Sequence, residues 1–174
     1  HSLASSAYNV RRAQCEHALN ELKEVRPDLH ALGELTNDAF EKIAGHITEV
    51  LERHRARHAV YENTRTLEAV KALEKKDVEA FGQLMNASHF SLRDDYEVTG
   101  TELDTLAEIA WQQDGVIGSR MTGAGFGGST VSLVKNDKIA EFQQNVHAAY
   151  TKKIGYAPSF VVASIADGTK RIEG

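Results

Sequence analysis

The chain has 174 residues, 41% of them hydrophobic, enough for one domain with its own core and too mixed in composition for a disordered or repetitive array. With 20 Lys and Arg against 25 Asp and Glu the formal net charge is -5, which excludes the basic field needed to hold a nucleic-acid backbone or an anionic membrane. The single Cys15 cannot form an internal disulfide, and no apolar run approaches the roughly 20 residues of a membrane span, so a soluble cytoplasmic protein is expected. The opening "HSLASSAYNV" has no initiator Met and reads as part of something longer. Ala18, Leu22 and Val25 share helical spacing over residues 9–25, and Pro27 ends that segment. Thr36 is a candidate N-cap ahead of Phe40, Ile43, Ile47, Val50 and Leu51, and a further stripe runs through Ala56, Val60, Leu67, Val70 and Leu73, with a break expected near His54. Asp77 can cap a helix that buries Val78, Phe81, Leu84, Met85 and Leu92, although Gly82 in its interior costs about 1 kcal/mol relative to Ala. Thr101 and Asp104 have capping-box spacing, and Gly115 suits a left-handed stop.

The last third changes period. "VIGSRMT" and "STVSLVK" are short, β-branched and partly alternating, and they flank a glycine-rich loop. Asn136 or Asp137 can cap a helix through Ile139, Phe142, Val146 and Tyr150, closed by Gly155 and Pro158. "SFVVASIA" then predicts a strand over residues 159–166, with Asp167 and Gly168 as a turn. Helices followed by strand, loop, strand, helix and strand predict an α+β fold, a helical layer on a small antiparallel sheet.

The loop "TGAGFGGS" satisfies Gly-x-Gly-x-x-Gly, but a strand follows it where a dinucleotide site needs a helix N-terminus, so a Rossmann reading fails. "LRDD" precedes the glycines instead of following them, no "DFG" or "APE" is present, and the P-loop "GKS" or "GKT" is absent, which removes the protein kinases and P-loop enzymes. Two readings stay open. Four glycines can serve a bulged hairpin crossed closely by a helix, or their bare amides can form an anion-binding nest.

The residues resemble a family at this point. "GSRMTGAGFGG" is similar to the third conserved motif of the galactokinases, members of the GHMP small-molecule kinases. "HSLASSAYNVRRAQCEHAL", "RARHAVYENTRT" and "FGQLMNASHFSLRDDYEVTGTELD" resemble further galactokinase stretches in family order. The resemblance implies that residues 1–174 form the C-terminal, ferredoxin-like domain of a two-domain enzyme that transfers the γ-phosphoryl group of ATP to the anomeric hydroxyl of α-D-galactose. It implies that Tyr8 binds the sugar and that Gly123, Ala124, Gly125, Phe126, Gly127 and Gly128 line the nucleotide and phosphate side. No stretch resembles the family's sugar-binding signature, its second ATP motif or its catalytic aspartate, so no catalytic or metal-binding residue is expected here. Mg2+ ligands are expected in the N-terminal half, which becomes the partner of this chain, and the chain alone is expected to be inactive. A non-catalytic sugar and ATP sensor, or a kinase for a related sugar such as N-acetylgalactosamine, is the alternative implication.

Other residues have plainer readings. His54 and His58 stand at i, i+4 but lack the Glu of a metalloprotease motif, and with Arg53, Arg55 and Arg57 they read as a solvated helix face. Asp94 and Asp95 are adjacent, so they diverge around a helix and suit its end. Arg11 and Arg12 suit salt bridges and Trp111 suits packing, while Arg120, on the strand entering the loop, can meet either a phosphate or a buried acid.

Overall fold

The computed structural model describes residues 2–164, with side chains from residue 7 onward. Among the described residues six helices pack on a two-stranded antiparallel sheet, the expected α+β arrangement. Helix α1 (Ser2–Lys23) begins earlier than its periodicity suggests and stops ahead of Pro27. It buries Ala18 and Leu22, whereas Val25 is exposed. Helix α2 (Asn37–Ile43) is capped as expected, with Thr36 Oγ1 accepting the Ala39 N–H at 3.2 Å.

Helix α3 (Val50–Glu74) is continuous through His54, which corrects the expected break. The interruption lies earlier, in a 3-10 turn at Ala44–His46 followed by extended backbone that drives Ile47 fully inward. Thr48 pins this corner to α1 by donating its N–H and hydroxyl to the Glu21 carboxylate at 3.2 and 2.6 Å. Ala56 and Val60 are buried, but Leu67, Val70 and Leu73 face solvent. Periodicity fixes a helix's phase and not whether a neighbour is there to cover its stripe.

Helix α4 (Val78–Asp94) carries the expected cap, Asp77 Oδ1 accepting the Ala80 N–H at 2.9 Å. Helix α5 (Thr101–Trp111) does not use the expected capping box. Gly100, at φ 87°, is its N-cap, and Asp104 turns to His89. Strands β1 (Val116–Thr122) and β2 (Ser129–Val134) pair as predicted, Arg120 opposite Val131 and Thr122 opposite Ser129. Asn136 and Asp137 form a 3-10 turn instead of a cap, so helix α6 (Ile139–Ile154) starts after Lys138 and ends on left-handed Gly155 as expected.

The strand expected over 159–166 is not formed in residues 159–164; the rest, with Asp167 and Gly168, lies outside the described residues. A strand requires a neighbouring backbone, and here a cleft separates residues 156–161 from β2. The apolar core is divided among α1–α3, the α5–α6 pair, and a small cluster of Leu92, Val98, Leu103 and Met121 that lies under the start of the glycine loop.

Candidate functional site

The stem of the loop is β1, and α4 fastens its free edge. Two strand amides that point away from β2 are taken by α4 side chains: Ser119 N–H donates to Asn86 Oδ1 at 2.8 Å and Met121 N–H to His89 Nδ1 at 3.0 Å. The second bond fixes a tautomer. His89 Nδ1 must be unprotonated to accept, so Nε2–H donates to Asp104 Oδ1 at 3.1 Å and the ring is neutral. Burial pushes the His89 pKa down, which agrees with a neutral ring. The backbones of α4 and β1 approach so closely that a Cβ on Gly82 would stand 2.6 Å from the carbonyl carbon of Ile117, and one on Gly118 would stand 2.6 Å from Gly82 O. The interior glycine of α4 is therefore a crossing point. Trp111 packs edge-on to His89 and donates Nε1–H to Ser119 O at 3.0 Å.

In the loop, Gly123, Gly125, Gly127, Gly128 and also Phe126 have positive φ, between 59° and 106°. Only Gly125 combines that with crowding: a Cβ there would overlap Val98 O and lie 3.0 Å from Val98 C and Cβ, whereas Gly123, Gly127 and Gly128 have open space. The neighbouring Phe126 N–H donates to Val98 O at 2.7 Å. The two open readings of the glycines thus divide by position. Gly125 serves a close approach, while the amides of Ala124, Gly127 and Gly128 have no acceptor among the described residues and are free to meet an anion. Phe126, Gly127 and Gly128 line a cleft of about 720 Å³ with Glu97, Val98, Gly100, Ser129 and residues 156–161.

What braces the loop escaped the sequence reading. Val98 belongs to a turn after α4 in which Glu97 adopts φ 52°. Arg55, expected on a solvated face, is 1% exposed and reaches this turn, donating to Asp95 O at 2.5 Å and Glu97 Oε2 at 2.6 Å. Arg11 of α1 joins it, donating to Tyr96 O at 2.6 Å and Glu97 O at 3.0 Å. His58 is also buried, against expectation, stacked on Tyr96 at 4.5 Å. Its Nδ1 lies 2.9 Å from Ser91 Oγ, whose hydroxyl donates to Asp95 Oδ2, so Nδ1–H is the donor to serine. No apolar stripe marks this face: Arg55 and His58, at i, i+3, lie together on a side of α3 turned to α4 and the turn after it, away from the Ala56 and Val60 pair that faces the α1–α3 core. Arg57, between them, is exposed as expected.

Tyr8 lies on α1 one turn before Arg11 and is half exposed. Arg12 makes the expected surface pair with Glu16 at 2.9 Å. Asp94 ends α4 and Asp95 caps it. Arg120 meets an acid, Glu62, at 3.4 Å; Glu62 also accepts from Ser88 and pairs with Arg65 at 2.7 Å. Burial raises the Cys15 thiol pKa, which disfavours the thiolate of this free cysteine beside Tyr96.

The open amides of the glycine loop suit the oxygens of a phosphoryl group. The loop offers open amides and no carboxylate, and the one three-ligand group found among the described residues, His17, Glu21 and Glu52, belongs to the α1–α3 face, its side chains already taken up by one another and by Thr48. No helix among the described residues is long and apolar enough to cross a membrane.

Residues 69–152 match the family described as GHMP kinases C terminal. These residues include the strand–glycine loop–strand unit, so this part of the chain is similar to the C-terminal domain of the GHMP kinases. The galactokinase of Clostridium beijerinckii is 60% identical over 170 residues, 98% of this chain and 43% of that protein. The galactokinase of Ligilactobacillus salivarius is 56% identical over 168 residues, 97% of this chain and 43% of its own length. The crystal structure of Lactococcus lactis galactokinase complexed with galactose superposes with a TM-score of 0.89 at 50% identity, covering 94% of this chain and 42% of that one. The chain is thus similar to the C-terminal part of these galactokinases, and it spans less than half the length of these relatives.

Proposed function

We propose that the protein to which this chain belongs transfers the γ-phosphoryl group of ATP to the anomeric hydroxyl of α-D-galactose, giving galactose 1-phosphate in the cytoplasm. Identity of 60% to a galactokinase along 98% of the chain carries the reading. Residues 1–174 act as its C-terminal domain. Tyr8, half exposed on α1, hydrogen-bonds the sugar, since a phenol can both donate and accept. The open amides of Ala124, Gly127 and Gly128 face the phosphoryl side, where fixed donors stabilise charge without reorganising. Phosphoryl transfer relies mostly on positioning and charge stabilisation, so this wall contributes without moving a proton. Magnesium, when bound, neutralises phosphate charge; its ligands and the catalytic base come from the N-terminal half, and the chain alone is inactive.

The test is to express that half from a relative, mix it with this chain, and follow ATP-dependent formation of galactose 1-phosphate. Activity is expected only in the mixture, with Tyr8→Phe raising the galactose KM. Turnover of N-acetylgalactosamine in place of galactose would refute the substrate, and a folded, sugar-binding mixture without turnover would establish the sensor instead.

A further inference from the structure

We propose that Arg55 and Glu97 are positioning residues for phosphoryl transfer, fixing the 95–98 turn against which both the glycine loop and the helix carrying Tyr8 are set. The inference rests on the proposed kinase reading and adds two residues to those assigned to the sugar and the phosphate side. Arg55 is 1% exposed, and its guanidinium is committed to Asp95 O and the Glu97 carboxylate. Desolvating a charge offsets most of what such a pair contributes to stability, and an apolar residue would fill the space at least as well. What the pair supplies is one geometry for the turn.

That geometry propagates in both directions. Glu97 is held at φ 52°, a left-handed conformation unfavourable for glutamate, and this sets the peptide that follows. Val98 O then accepts the Phe126 N–H at 2.7 Å and lies against the one crowded glycine of the loop, Gly125. On the other side, Arg11 binds Tyr96 O and Glu97 O, and its guanidinium also lies 3.6 Å from the Glu97 carboxylate. Tyr8 is one helical turn away on the same helix. The sugar side and the phosphate side are thereby referenced to one turn. The reacting oxygen and phosphorus must meet within about 3–3.5 Å, and a misplacement of about 1 Å costs on the order of a hundredfold in rate.

The experiment uses the kinase reconstituted with the N-terminal half, and it reads two quantities: steady-state kinetics, and amide hydrogen exchange at Phe126 with Met121 as internal reference. The central variant is Glu97→Asn, because asparagine tolerates the left-handed conformation yet is too short to reach Arg55. Arg55→Met removes the other partner and Arg55→Lys tests conservative rescue. Glu97→Asn is expected to keep its thermal midpoint within a few degrees, lower kcat about tenfold or more with both KM values changed less than about threefold, and speed Phe126 exchange about tenfold with Met121 unchanged. Arg55→Lys should recover part of the loss seen in Arg55→Met. If Arg55→Met fails to fold, Glu97→Asn decides alone. Unchanged kcat, or a kcat loss with Phe126 still protected, overturns the proposal, because the effect would not run through the loop. If the unsubstituted mixture phosphorylates no sugar, the kinase reading fails separately and the positioning role falls with it, while the exchange arm still reports whether the turn holds the loop.

Discussion

Replacing Gly125 by Ala is the sharpest perturbation of the loop, because two independent costs coincide there. Its φ of 81° lies in the left-handed region, where any side chain costs about 1–2 kcal/mol. The added methyl would also overlap Val98 O, which sits in a turn held by Arg55 and Arg11 and cannot retreat without breaking those bonds. The cheapest relief is to lift the loop, giving up the Phe126–Val98 hydrogen bond at about 0.5–1.5 kcal/mol. The total is about 1.5–3.5 kcal/mol, with the second contribution capped by the loop's own docking energy. Gly123→Ala supplies the comparison: its φ of 86° carries the same conformational cost, but a Cβ there meets nothing within 4 Å. Urea unfolding should show Gly125→Ala destabilised beyond Gly123→Ala by about 1 kcal/mol, with a larger gap in Phe126 amide protection. Equal stabilities and equal protection at Phe126 would refute the claim that Val98 is the brace.

Gly82→Ala should reverse the usual sign of a helix substitution. Ala normally gains about 1 kcal/mol over Gly in a helix interior, but here the methyl meets the Ile117 backbone, so a net loss of about 2 kcal/mol or more is expected in urea unfolding, and any gain would disprove the crossing. Stability should also fall with acidity through His58. Its folded pKa is pushed down to about 4, mainly by burial, against an ordinary value of about 6.5, so the unfolded chain binds a proton first. The contribution is complete above about pH 6.5 and is lost as pH falls toward about 4, a change of roughly 1–3 kcal/mol. His58→Gln should flatten the decline in urea midpoints between pH 7 and pH 4.5, and a decline parallel to that of the unsubstituted chain would exclude His58 as its source.

Local chemistry alone determined much of this domain. The apolar periods, the caps at Thr36 and Asp77, the stop at Gly155 and the alternation on either side of the glycines are consequences of backbone geometry within a few residues, and the structure keeps them. The loop's setting between strands was legible for the same reason, and it sufficed to reject a dinucleotide site. Tertiary structure decided what each periodic face met. The same spacing that buries Val60 leaves Leu67, Val70 and Leu73 in solvent, and arginine at position 55 looks like surface until a turn some 40 residues later in the chain arrives to take its charge. The residues 159–164 are apolar and β-branched like a strand and remain unpaired, because a ladder requires a partner that no segment can encode by itself. For "GSRMTGAGFGG", the sequence supplied glycines able to take positive φ; only the fold showed that Gly125 answers to Val98 and its companions to open space, because that distinction is a distance between segments remote in the chain.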